Sequence, residues 1–309
     1  MHSQKGSIEV LAKGVVTIPL AQAITSYSNF LKPKWAKEAL EEKDPFYIHN
    51  LKNYEEGIFI FIPPKCKLEI PIEITVTDSI AKIEIVLGKE AEATIMIKET
   101  STSSAWMNTA ISLSLDMGAR CSLKRTINEH PEAFHFSYIR ASLKKDAYLQ
   151  TVTSSQGSKG SRQDYKASLL GENAEVALNG IWELDGTRHN ATNIQISHLA
   201  PHTRSMQKFK GVQKEFSQAS FQGQIFVAKE AQKTQAYQLN KNILLGERAI
   251  CNSKPNLQIF ADDVKASHGA TIGQLDKKQL FYLTSRGIPL KRATELLLEG
   301  FCNEIYDLL

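Results

Sequence analysis

"KIEIVLGKEAEATIMIKE", Lys82 to Glu99, reads as strand, polar turn, strand. Apolar and polar residues alternate on both sides of the turn, so every second side chain falls on one face of an extended chain. The turn carries an apolar residue followed four positions later by a small one, Leu87 and Ala91. The same pair recurs as Leu115–Ala119, Leu143–Ala147, Leu170–Ala174, Leu199–Thr203 and Val227–Ala231. The leading residues are spaced by 28, 28, 27, 29 and 28 positions. Leu245 of "LLGERA" follows after only 18, where the register is expected to break. One strand pair of this length cannot bury its own apolar face. Stacking successive units does so and leaves open edges only at the two ends. The period therefore predicts a β-solenoid, although strand spacing by itself leaves an ordinary β-sandwich open.

The flanks of the repeat read differently. "SNFLKPKWAKEALEEKD" predicts a short helix starting after Pro33, followed by a loop ended by Pro45. Pro63 and Pro64 mark a turn that enters the repeat, because neither can donate to a central ladder. After Gly273, Asp276 is placed to N-cap a helix over "KKQLFYLTSR" and Gly287 to stop it. Pro289 suits the first turn of a second helix. Ala293, Leu296, Leu297, Phe301, Ile305 and Leu308 recur there at helical spacing, giving one apolar stripe. The organisation expected is a mixed, partly helical segment over 1–56, a β core over 57–273 and a two-helix segment over 274–309. The two helices would either cover the open end of the stack or dock a partner.

Composition narrows the function. The chain has 309 residues, 42% hydrophobic and 23% charged, with a net charge of +4. That balance, without a dense Lys/Arg run, argues against nucleic-acid binding. No apolar tract is long enough to span a membrane, and Met1 to Leu20 lacks the apolar core of a secretory signal. Cys66, Cys121, Cys251 and Cys302 are far apart, form no CxxC pair and fit a reducing, cytoplasmic setting. "QGSKGSR", Gln156 to Arg162, lacks the order of a phosphate-binding loop and reads as a turn. No nucleophile elbow or dinucleotide fingerprint is present, so the chain is not expected to be an enzyme on its own. His198 and His202 are four apart, yet Pro201 and the strand context weaken a metal pair. His130, His135 and His189 show no recognisable partners in the sequence.

Four stretches carry a resemblance: "HNATNIQISHLAPHTRSMQKFKGV", "SFQGQIFVAKEAQKTQAYQLNKNILL", "SKPNLQIFADDVKASHGATIGQLDKKQLFYLTSRGI" and "EGFCNEI". Together, from about Arg188 to Ile305, they resemble the C-terminal half of the SufB/SufD family, the scaffold proteins of the Suf iron–sulfur assembly machinery. "GIFIFIPPKCKLEIPIEI" resembles the family's entry into its β domain, whereas Met1 to Asn53 matches only vaguely and looks abbreviated. The resemblance implies a mainly β fold, a right-handed parallel β-helix flanked by helical segments. It implies a SufD-like scaffold subunit that pairs with a SufB-like paralogue through the ends of their β-helices. The C-terminal helices would dock a SufC-like ABC ATPase, so ATP enters only through that partner. A transient iron–sulfur cluster shared with the SufB-like subunit, and a flavin on the complex, belong to the same expectation. A homodimer of the isolated chain is compatible with it, as is a structural relative without cluster chemistry. A carbohydrate-active β-helix enzyme is the reading from another class; it would need clustered acids and bases on one face of the stack.

Within "DDVKASHGAT", His268 matches the SufD histidine at the SufB interface, and a neutral imidazole is an exchangeable ligand for iron. Its flanks Ser267 and Gly269 take the SufD form, where SufB carries glutamates. The main SufB cysteine falls at Ala249. Ala266 stands where many SufD proteins carry cysteine, which puts a SufD thiol in doubt here. Asp262 and Asp263 are candidates for shaping a polar interface around His268; as neighbours on a strand they would face opposite ways. Phe281, Tyr282, Arg286, Leu296, Leu297 and Phe301 form the surface implied for the ATPase. Cys251 and Cys302 read as packing residues.

Overall fold

The computed structural model describes residues 7–11 and 15–309, so Met1–Gly6 and Ala12–Gly14, within the segment expected over 1–56, lie outside the described residues. Two nine-stranded sheets face each other across a narrow core. The chain climbs by alternating between them. The first sheet holds β4 (Ile72–Thr77), β6 (Glu92–Thr100), β8 (Arg120–Asn128), β10 (Tyr148–Ser155), β12 (Glu175–Leu184), β14 (Arg204–Gln213), β16 (Thr234–Leu244) and β18 (Val264–Gly273). The second holds β3 (Glu56–Ile62), β5 (Ile80–Leu87), β7 (Trp106–Leu115), β9 (Phe134–Leu143), β11 (Gly160–Leu169), β13 (His189–His198), β15 (Gln218–Val227) and β17 (Ile250–Ile259). These pairings are parallel. At the N-terminal end β1 (Ser7–Leu11) and β2 (Val16–Pro19) add antiparallel to β4 and β3 and cover edges that would otherwise be open. The fold is the β-solenoid that the period predicts.

The repeating pair has a geometric cause: it marks a corner. Glu90, Gly118, Asp146, Asn173 and His202 stack there with φ of 58°, 69°, 58°, 59° and 59°. This left-handed residue turns the chain sharply, and the next side chain is driven inward. Ala91, Ala119, Ala147, Ala174 and Thr203 fill that place and are buried. Each corner also leans on the next, since Glu90 N–H donates to Met117 O at 2.8 Å and Gly118 N–H to Lys145 O at 2.9 Å. Only a small side chain fits between two such corners.

The register continues where a break is expected. The corner column runs Leu87, Leu115, Leu143, Leu169, His198, Val227 and Ile259. Leu170 and Leu199, read from sequence as its members, sit one residue too far and are 50% and 40% exposed. Leu245 belongs to the opposite corner, where its N–H donates to Gln213 O at 2.8 Å. The last turn, with corners at 228–233 and 245–249, is simply longer.

Three helices lie on the outer face of the second sheet. α1 (Leu20–Ser26) and α2 (Ser28–Glu41) bury Leu20, Ala23 and Leu31 against Phe59. Burial of Leu31 holds the first turn of α2, so Pro33 falls inside this helix instead of preceding it. Pro45 likewise does not end a loop; it opens α3 (Pro45–Asn53), capped by Asp44, which accepts from Phe46 N and Tyr47 N at 3.0 Å each. α3 packs Tyr47 against Ala110 and Tyr138.

At the other end, Asp276 caps α4 (Lys277–Ser285), accepting from Lys278 N at 2.7 Å, and Gly287 stops it with φ of 84°. α5 (Leu290–Tyr306) then runs along the outer face of the first sheet. Cys302 and Ile305 bury there against Val152, Ile181 and Val212. α5 therefore braces the flank of the stack, and its apolar stripe does not cover the end. The reason lies in the outward phase of those strands, which offers one apolar side chain on each of three adjacent strands.

Candidate functional site

β17 and β18 are the terminal strands of their sheets, each paired on one side only. His268 stands in the middle of β18, opposite Gln238. That register assigns its face, because Ala236, Gln238 and Asn240 point inward and are buried. Val264, Ala266, His268 and Ala270 continue the same inward phase on the last strand, where no further turn covers them. His268 is therefore an inner-face residue at an open end, and it is exposed for that reason. Ser267 lies on the outward phase and Gly269 beside Leu239. Ile250, Ile259, Phe260 and Ile272 leave apolar surface around this rim.

Asp262 and Asp263 do not sit on a strand. They form the turn between β17 and β18, and Asp263 N–H donates to Gln232 Oε1 at 3.0 Å. The question of opposite strand faces therefore does not arise for them. Ala249 lies in the corner before β17 and is nearly buried. Cys251, on the inner face of β17, is held as a thiol by burial, which pushes its pKa up to about 12. Burial does the same to Cys121 and Cys302, each pushed up to about 12. None of the three is a ready thiolate.

His198 is fully engaged elsewhere. Its two ring nitrogens meet the hydroxyls of Thr203 at 2.8 Å and Ser205 at 2.9 Å, and burial pushes its pKa down to about 4. His202 is a corner residue, so the pair spaced by four is not a metal site. Among the described residues no group of three or more His, Cys, Asp or Glu side chains is arranged to hold a metal ion. No helix of the described residues is long and apolar enough to cross a membrane.

The residues read as an ATPase surface divide. Phe281 and Tyr282 on α4 are 73% and 58% exposed, and the Arg286 guanidinium lies 5.4 Å from the Tyr282 ring. Leu296 and Leu297 are half-buried. Phe301 faces the stack instead: Lys210 Nζ lies 4.4 Å from its ring centre and donates to its carbonyl at 2.6 Å.

Sequence reading missed a buried ionic cluster inside the stack. Glu99, Arg125, Glu129 and His135 are enclosed together, with Arg125 bonded to Glu99 and to Ser137, and His135 to Glu129. The available signal was phase: Glu99, Arg125 and His135 all fall on inward positions of otherwise apolar alternations. His130 sits at a corner, where its Nδ1 accepts from Glu132 N, and His189 opens β13, its N–H donating to Ser158 O.

Comparison with known proteins fits this geometry. Residues 74–301 match the family described as SUF system FeS cluster assembly, SufBD core domain. The chain is 30% identical over 276 residues to an iron-sulfur cluster assembly SufBD family protein of Synechocystis, covering 84% of this chain and 61% of that protein. It is 32% identical over 225 residues to the iron-sulfur cluster assembly protein SufD of Escherichia coli, covering 72% and 53%. Against SufB of Bacillus subtilis the identity is 22% over 309 residues, covering 97% and 66%. The chain thus spans between about half and two thirds of the length of these relatives. With that match across most of its solenoid, the chain belongs to the SufB/SufD family of iron–sulfur cluster assembly proteins.

Proposed function

We propose that this chain is a SufD-like scaffold subunit that works with a SufB-like paralogue in building iron–sulfur clusters. The observation that carries the reading is the position of His268, inward-phased on the last strand of an uncovered stack. Unpaired strand edges and exposed rim residues favour a second solenoid stacked end to end. A partner placed there would bring its own ligands to the imidazole, and the cluster would be cargo at the seam. One imidazole without a thiolate binds weakly enough to release what it holds.

For the ATPase, the exposed Phe281, Tyr282 and Arg286 on α4 support docking of a SufC-like subunit. Phe301 gives that surface less support, because it is half-buried beside Lys210. Ala266 favours a second reading, a SufD relative that assembles the complex without ligating a cluster. Co-expression with SufB-like and SufC-like partners, followed by iron and sulfide analysis, separates the two. His268→Ala is expected to leave the complex intact and lower its iron and sulfide; wild-type loading in that variant would sink the ligand role.

A further inference from the structure

Gln238 occupies the register position next to His268, one strand deeper in the stack. It is 3% exposed, and its amide nitrogen donates to Gln207 Oε1 at 2.9 Å. This leaves Gln238 Oε1 and Gln207 Nε2 buried without partners. Interchanging oxygen and nitrogen in both amides keeps their mutual bond and still leaves one atom of each free. A buried amide atom is costly when it stays unpaired. The opposite wall is also shaped around this one group: a Cβ on Gly223 would stand 1.4 Å from Gln238 Nε2. The fold omits a side chain on β15 and thereby holds the carboxamide across the core.

We infer that Gln238 is the positioning residue of His268. Neighbouring strands run about 4.8 Å apart, a gap that one hydrogen bond between the two side chains spans. In the orientation with its nitrogen on Gln207, Gln238 Oε1 is free to accept from one ring N–H of the neutral imidazole. The second ring nitrogen then keeps its lone pair directed out of the open end, toward a metal held at the seam. Histidines that ligate metals are oriented in this way by an acceptor on the other ring nitrogen. The inference rests on the reading of His268 as an iron ligand, but it makes a claim about the free chain as well.

The test is nitrogen-15 imidazole NMR of the chain alone at about pH 8, above the ordinary imidazole range. The His268 signals are assigned by their loss in His268→Ala. Wild type is expected to show one neutral tautomer. Gln238→Glu, which still accepts, retains it. Gln238→Leu shows both tautomers, and so does Gly223→Ala, which displaces the carboxamide while Gln238 itself is unchanged. The wild-type tautomer persisting in Gln238→Leu overturns the inference. In the co-expressed complex, Gln238→Leu is expected to lower iron retention about 10-fold or more, and Gln238→Glu to keep it near wild type. If His268→Ala loads iron fully, the ligand reading fails by itself, and the tautomer result still decides whether Gln238 holds the ring.

Discussion

His135 and Glu129 meet inside the solenoid: the imidazole Nδ1 is hydrogen-bonded to the Glu129 carboxylate, while Nε2 lies 3.4 Å from Glu99. Arg125 holds the other oxygen of Glu99, so two cations face two carboxylates in an enclosed space. Burial alone would discharge the imidazole, yet Glu129 and Glu99 overcome it and raise the pKa of His135 to about 9. Burial would likewise raise Glu99, but Arg125 and His135 bring it down to about 2.

Stability should follow both groups. The raised His135 contributes fully below its ordinary 6.5, and that contribution is lost as pH climbs through about 9. The depressed Glu99 contributes fully above its ordinary 4.5 and is lost as pH falls toward about 2. Denaturant titrations of wild type across this range should show a plateau between the two limbs. His135→Gln leaves Glu129 uncompensated and should cost about 3–5 kcal/mol near neutrality. It should also flatten the alkaline limb; a limb of unchanged steepness would show that another group titrates there.

The corners predict a contrast between glycines. A Cβ on Gly171 would stand 2.1 Å from Lys145 N and 2.6 Å from Lys144 C, backbone atoms that cannot turn aside. Gly171→Ala should lower stability by about 1–3 kcal/mol through overpacking. Gly273 has no atom within 4 Å of such a Cβ, and Gly273→Ala should stay within about 0.5 kcal/mol. Equal midpoints for the two variants would contradict the stacked-corner account.

The last two helices should separate docking from bracing. Phe281→Glu touches an exposed ring and is expected to shift stability by about 0.5 kcal/mol or less while ending co-purification with a SufC-like ATPase. Phe301→Ala removes the ring beside Lys210 and should cost about 1–3 kcal/mol in the chain alone. Deleting Asp276–Leu309 is a poorer test, because it would uncover Val152, Ile181 and Val212. Undiminished ATPase binding by Phe281→Glu would remove α4 from the docking surface.

Ala266 invites a gain of function. It shares the inner face of β18 with His268, two residues away. Ala266→Cys would place a soft sulfur ligand beside the imidazole, and the co-expressed complex should then retain more iron and sulfide. No gain here, together with normal loading in His268→Ala, would favour the family member that assembles without cluster chemistry.

Part of this protein was legible because its cause is local. The recurring Leu87–Ala91 pair reports a corner that needs one left-handed residue and one small one, and that need repeats every turn. The alternation on either side assigns inner and outer faces without any knowledge of neighbours, and α4 is bounded by the Asp276 carboxylate at one end and the left-handed Gly287 at the other. The step from Val227 to Ile259 was not legible, since corner length varies freely once the strands are in register. Nor were the side taken by α5, the charge on His135 and the amide next to His268. Each of these depends on residues 6 to more than 100 positions apart that only stacking brings together. Period is written in the chain; partnership across turns is decided by the register of one strand on the next.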